Sequence, residues 1–211
     1  MSSFDTCFFE RYAHVTLRNC LGPEYDDLVN RDRPDLQSSD GLTMGIEVTR
    51  AMEESKSAAD ELLDNMAGVV EMPTDDRDME QFLLSGYGYG LNVGRLMGPR
   101  EKLYWSMALP MKRILESKVS KMTSGLYGMF SKSGLYVFCK DPLADSDIIG
   151  AFRLVMNLQR CQGLKYDFLY LSEVSTLHVC NLREDMADAY RVASFPISME
   201  MRRRFFIDAL K

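Results

Sequence analysis

The apolar positions of the chain follow two periodicities, and their alternation lays out the elements. Phe4, Phe8, Phe9, Tyr12 and Val15 fall on one broad arc at helical spacing, which predicts a helix over residues 4–20 stopped by Gly22-Pro23. Residues 34–49 switch to a period of two: PDLQ, then SSDG, then LTMGIEVT, the pattern of a β-hairpin. A second helix is expected from about Arg50 to Met66, with Gly68 behind it. Thr74 or Asp75 is placed to cap a helix through Leu84. Residues 103–126 read as a long helix, broken or kinked near Pro110, with Leu115, Val119, Met122 and Leu126 as its buried stripe. GLYVFC (134–139) is an apolar, β-rich run between Gly134 and Pro142, hence a buried strand. Asp145 or Ser146 caps a helix to about Gln162, closed by Gly163. YDFLYL (166–171) and TLHVCNL (176–182) read as two strands joined by a short turn, and Ser198 opens a last helix. Helix, hairpin, helices, strand, helix, hairpin, helix is the order of one mixed α/β domain spanning 1–211.

Composition agrees with a folded domain. The 211 residues are 46% hydrophobic and 27% charged, far from the profile of a disordered chain. No stretch approaches the ~18 apolar residues of a membrane span. The start MSSFDTCFFERY lacks the basic end and long apolar run of a signal peptide, so the expectation is a cytoplasmic protein with no membrane partner. The five cysteines are odd in number and no two have CxxC spacing, which argues against disulfides and thiolate zinc and for buried thiols. With only His14 and His178, an imidazole-rich metal site is equally unexpected. The net charge of -6 does not advertise a polyanion partner, although an enzyme can pair a basic groove with an acidic metal site. SGYGYGLNVGRLMGPR holds five glycines in sixteen residues. It has no Gly-Lys-Ser/Thr and no clean GxGxxG after a strand, so 86–100 reads as a loop insertion, not a phosphate cradle.

The hairpin carries the candidate chemistry. Ile46 and Val48 point one way and Glu47 and Thr49 the other; Asp35 and Gln37 share one face of the preceding strand. That face bears two carboxylates where a sheet favours β-branched or aromatic groups. With a three-residue Ser39–Gly41 loop, Ser38 pairs with Leu42, Asp35 lies opposite Gly45, and Glu47 is its diagonal neighbour at ~7–8 Å. Gly45 would then leave room for an ion. A two-residue Asp40-Gly41 turn would put the carboxylates on opposite faces.

RPDLQ, a turn, and GIEVT resemble the PD-(D/E)XK hairpin of the restriction-endonuclease-like superfamily. Pro34-Asp35 precedes Glu47 at a spacing within the family's habit, with helices before and after it and then a strand. The resemblance covers about residues 4–50 directly, within a helix–hairpin–helix over 4–66, and 105–140 loosely. It implies a restriction-endonuclease-like α/β core, a helix and a central mixed sheet with flanking helices. It further implies metal-dependent phosphodiester hydrolysis acting on DNA. Asp35, Glu47 and the backbone carbonyl of Val48 would hold Mg²⁺, or Mn²⁺ in its place. The departure is Thr49, where the family's motif has lysine. Either the lysine has migrated, with Lys118 on the border of the long helix's apolar stripe the best candidate and Lys121 further out, or hydrolysis is lost. In the second case the fold is a catalytically silent module that binds nucleic acid or protein. A third reading makes Asp35 and Glu47 solvated edge charges of an unrelated α/β interaction protein.

Other polar residues carry weaker signals. Family members often add a glutamate from the first helix, but Glu10 projects opposite the Phe4–Phe8–Tyr12 face. Arg50 and Lys56 are candidates to touch phosphate, although surface charge on a helix is the commoner explanation, and Arg202, Arg203 and Arg204 are candidates to follow a nucleic-acid backbone. Three consecutive arginines spread over ~200° of helix, which favours a solvated face. His178, in an alternating strand, reads as structural.

Overall fold

Helix α1 (Phe8–Leu21) buries Phe8, Phe9, Tyr12, Ala13, Val15, Thr16 and Leu17, the arc its periodicity predicts. The structure is a computed structural model that describes residues 8–51, 111–139, 142–173, 175–183 and 191–210. Gly22, with φ of 105°, ends the helix and leads into a 3-10 turn at Pro23–Tyr25. Then come β1 (Leu28–Asn30), β2 (Leu36–Ser38), β3 (Met44–Ala51), α2 (Met111–Thr123), β4 (Lys132–Cys139), α3 (Asp145–Leu158), β5 (Phe168–Ser172), β6 (Thr176–Asn181), β7 (Val192–Pro196) and α4 (Met199–Leu210). The second expected helix, the one through Leu84, the glycine-rich insertion, Lys56 and the kink at Pro110 lie outside the described residues.

All seven strands form one mixed sheet in sequence order, β1 to β7. The centre is parallel, β3 with β4 and β4 with β5, and both flanks are antiparallel. α1 and α4 share one core with Ile46, Val48, Tyr136, Phe138 and Tyr170, while α2 and α3 share the other with Leu135, Val137, Leu169 and Leu171. Alternate residues of a strand face opposite ways, so a central strand covered on both sides reads as an unbroken apolar run. Leu135, Tyr136, Val137 and Phe138 are indeed all fully buried. This α/β architecture agrees with the pattern of the sequence. No described helix is long and apolar enough to cross a membrane.

The differences are local and have physical causes. Two short strands, β1 and β7, carry too few alternating residues to announce themselves. Arg50 and Ala51 continue β3 instead of opening a helix, because they pair with Phe138 and Cys139. α2 stops at Thr123, and Leu126 is exposed. The cause is a Schellman end: Gly125, φ 80°, donates to the Met122 carbonyl and Leu126 to the Lys121 carbonyl. The start of α3 is closed by Asp147, which accepts from the Ala144 N–H at 3.1 Å, and not by Asp145 or Ser146.

Two glycines mark close approaches on the central strands. A Cβ on Gly134 would lie 2.7 Å from the Tyr170 ring and 3.2 Å from Ile46; one on Gly45 would lie 2.6 Å from the Phe130 ring. Tyr170 is buried and its hydroxyl meets that of Tyr25 at 3.0 Å, so it has nowhere to go. Phe130 is only half-buried and can swing outward. Gly134→Ala is therefore expected to cost about 1–3 kcal/mol, and Gly45→Ala clearly less. Urea unfolding of both variants measures the difference; equal losses would show that the Phe130 ring is as firmly held as Tyr170.

Candidate active site

Glu47 sits in the middle of β3, on the side that faces α2, and is 7% exposed. The alternation that sends Ile46 and Val48 into the α1 side sends Glu47 and Thr49 to this one. Lys118 lies on α2 beside the buried Leu115 and Val119, and its Nζ donates to Glu47 Oε1 at 2.5 Å. The two side chains are only 14% and 8% exposed. An ion pair this dry is costly to break, since either partner alone is a buried charge.

Asp35 completes the group from the residue before β2. Leu36 pairs with Ile46 and Gln37 with Gly45, so the same register sets Asp35 against Glu47. The sequence suggests a diagonal relation across a three-residue loop; the loop is longer. Asp40 is the cause. Its carboxylate accepts from Ser38 Oγ (2.6 Å), Leu42 N (2.8 Å), Thr43 N (3.0 Å) and Thr43 Oγ1 (2.5 Å), folding residues 39–43 into one turn with Gly41 at φ 68°. These hydrogen bonds hold the Asp40 carboxyl well below the usual carboxylate range. The register moves by two residues, so the shared face survives. Gly45 does not leave room for an ion: it lies opposite Gln37 and beneath Phe130.

The Val48 N–H donates to Asp35 Oδ2 at 2.7 Å. The N–H and C=O of a strand residue point to the same side, so the Val48 carbonyl also faces Asp35, beyond the last β2 pair. Burial pushes the Asp35 carboxyl well above its ordinary range, and the negative charges of Glu47 and then Glu10 push it further; Val48 N–H and Lys118 oppose this without prevailing. Glu10 is thus part of the neighbourhood, contrary to the helical-face argument, and it accepts from Asn30 Nδ2 at 2.6 Å. The α1 arc is broad, and a residue at its border reaches the sheet where β2 ends.

Two tyrosines join the site that the sequence pattern does not single out. Tyr127 and Tyr166 are buried, with ring centroids 6.5 Å apart, and the Tyr166 hydroxyl donates to the Lys118 carbonyl at 3.4 Å. Burial raises both phenols, and the Glu47 charge adds to the shift in each. Tyr127 lies in a loop, and Tyr166, expected as the first residue of a strand, precedes β5, which begins at Phe168. Thr49 is buried at 3% beside Glu47 on the same face, and Lys121 is exposed. Arg50 is half-buried on β3; Arg202, Arg203 and Arg204 lie on α4, across the sheet from α2.

Among the described residues no group of three or more His, Cys, Asp or Glu side chains is disposed to hold a metal ion. The donors at hand are two carboxylates and a backbone carbonyl. Mg²⁺ is commonly held by one or two carboxylates and keeps several waters, so this set fits it and would not make a closed cage. No protein-family model, curated protein or solved structure matches the chain.

Two outcomes follow from these charges. Millimolar Mg²⁺ or Mn²⁺ should raise the melting temperature, by the equivalent of about 2.7 kcal/mol at a hundredfold excess over Kd, and Asp35→Asn should remove the rise. A well-folded wild type with no shift would leave the pair as plain structural charge. In EDTA the sign reverses. Asp35 binds its proton more tightly folded than unfolded, so its cost to stability grows as pH rises from 3.8 through the raised folded value. Asp35→Asn should then melt above wild type near pH 7 and lose that advantage near pH 3. A variant less stable near pH 7 would mean that neighbouring donors already compensate the carboxylate.

Proposed function

We propose that Asp35, Glu47 and Lys118 form the reaction centre of a metal-dependent phosphodiester hydrolase of the restriction-endonuclease-like type, acting on DNA. The observation that carries this reading is the 2.5 Å contact between Lys118 Nζ and Glu47 Oε1. It brings an amine from α2 to the carboxylate pair of the hairpin, which Thr49 cannot supply. A divalent ion held by Asp35, Glu47 and the Val48 carbonyl would polarise the phosphate and make a bound water nucleophilic near neutral pH. The chain's own groups do the rest. Glu47 and Asp35 would hold the cation and orient water through oxygens not taken by Lys118 and Val48. Lys118 offers positive charge where the phosphoryl group gains negative charge, in a site with little water to screen it. Tyr166 fixes the turn of α2 that carries Lys118 through its bond to the Lys118 carbonyl.

The test is cleavage of plasmid and single-stranded DNA with Mg²⁺ and with Mn²⁺. Lys118→Ala should lower kcat about 10²–10³-fold with a much smaller change in KM, since the contact matters most in the transition state. Glu47→Ala should abolish cleavage. Melting curves for each variant separate lost chemistry from lost folding. Wild-type cleavage untouched by Lys118→Ala would overturn the assignment of Lys118. An inert wild type in which Thr49→Lys gains activity that Glu47→Ala removes would make the protein a silenced, binding relative.

A further inference from the structure

Far from this centre in sequence, β6, β7 and the residue just past the end of β5 carry another set of polar side chains on one face. His178, 8% exposed on β6, has Leu171 as its β5 partner and Ser194 as its β7 partner. Glu173 follows Leu171 by two residues and so lies diagonally on the same face. The distances close the chain of contacts. Glu173 Oε1 lies 2.9 Å from His178 Nε2, and Ser194 Oγ lies 2.8 Å from Nδ1. Glu173 is itself fixed, its Oε1 accepting from the Leu143 N–H at 2.8 Å and its own N–H donating to the Thr176 carbonyl at 3.0 Å.

The carboxylate sets the tautomer. Glu173 can only accept, so the ring proton sits on Nε2, and Nδ1 is left as acceptor for the Ser194 hydroxyl. The backbone supplies a further feature. The Asn181 N–H donates to the Arg191 carbonyl, and the Ile197 N–H to the Ser175 carbonyl. Ladder bonds alternate along an antiparallel pair, so His178 and Ser194 form a pair without backbone hydrogen bonds. Such pairs bring side chains closest. They also turn the Ser194 N–H away from β6, toward the outer edge of β7, the last strand of the sheet. Pro196, at the same parity, has no N–H to offer there, which disfavours another strand on that edge. Ser194 itself is exposed.

We infer that Ser194, His178 and Glu173 form a nucleophile, base and orienting carboxylate for hydrolysis of carboxylic esters, independent of the carboxylate centre on β3. Ser194 Oγ bonds to the ester carbonyl carbon while its proton passes to His178 Nδ1, and the developing oxyanion meets the Ser194 N–H. The carbon–oxygen bond to the alcohol then breaks, and the alcohol leaves with the proton from Nδ1. Water gives a proton to the same nitrogen and attacks the acyl-serine, releasing the acid and restoring the hydroxyl. Neither step needs an oxidant, a reductant or a metal.

The experiment uses the intact chain with a fluorophosphonate probe and with p-nitrophenyl acetate. Mass spectrometry should place the phosphonyl group on Ser194. Ser194→Ala should lose both the label and a burst of p-nitrophenol, and Glu173→Gln, close in shape, should slow labelling on the order of 100-fold or more. Circular dichroism checks that each variant is folded. His178 is buried, so should His178→Gln fail to fold, the labelled position in the wild type and the Glu173→Gln rate still decide. A folded wild type that takes no label at Ser194 overturns the inference, as does labelling whose rate Glu173→Gln leaves unchanged. Either result would make the three residues a polar tie that holds the edge strand.

Discussion

A carboxylate on the packed face of a central strand is the constraint around which one half of this molecule is arranged. Glu47 sits where the alternation of β3 demands an inward side chain, between Ile46 and Val48 and under α2. Taking such a group out of water costs several kcal/mol unless a partner and hydrogen bonds compensate it. The compensation comes from Lys118: Ile114, Leu115, Val119 and Met122 of α2 are buried, and Lys118 at their border meets Glu47. Apolar packing sets where α2 lies, and the ion pair sets which of its lysines points inward.

Asp35 makes the arrangement asymmetric. Lys118 bonds Glu47, while Asp35 has one backbone N–H and the repulsion of Glu47 and Glu10, so its carboxyl favours the proton. The short β2 matters here. Because pairing with β3 ends at Leu36, the Val48 backbone on that side is spent on the Asp35 carboxylate and not on another strand.

The opposite edge of the sheet handles polar groups by another route. His178 is buried with both ring nitrogens engaged, so Glu173 and Ser194 remove the cost of placing an imidazole against the α3 side. The two polar clusters lie on the same side of one sheet, one on β2 and β3 and the other on β6 and β7, separated by Leu135, Val137, Leu169 and Leu171 of β4 and β5.

By itself the sequence determined the elements with strong periodicity: α1, the hairpin of β2 and β3, α2, β4, α3, β5, β6 and α4, and hence the α/β class. It put Lys118 at the border of its helix but left open whether Asp35 and Glu47 share a face, since a two-residue turn would have parted them; the observed register differs from the three-residue-loop pairing by an even number of residues, so they share it. It did not give the loop length, since the hydrogen bonds gathered by Asp40 are a property of the folded turn. It left β1 and β7 unseen, because three to five residues on a sheet edge gain their order from a neighbour and not from their own pattern. Only the tertiary structure brought Lys118 to Glu47 across 71 positions, placed Tyr127 and Tyr166 beside them, turned Glu10 toward Asp35, and joined Glu173, His178 and Ser194. Periodicity reports which side of an element is dry; which polar groups meet across that boundary depends on how the elements are packed, and local sequence carries no record of that.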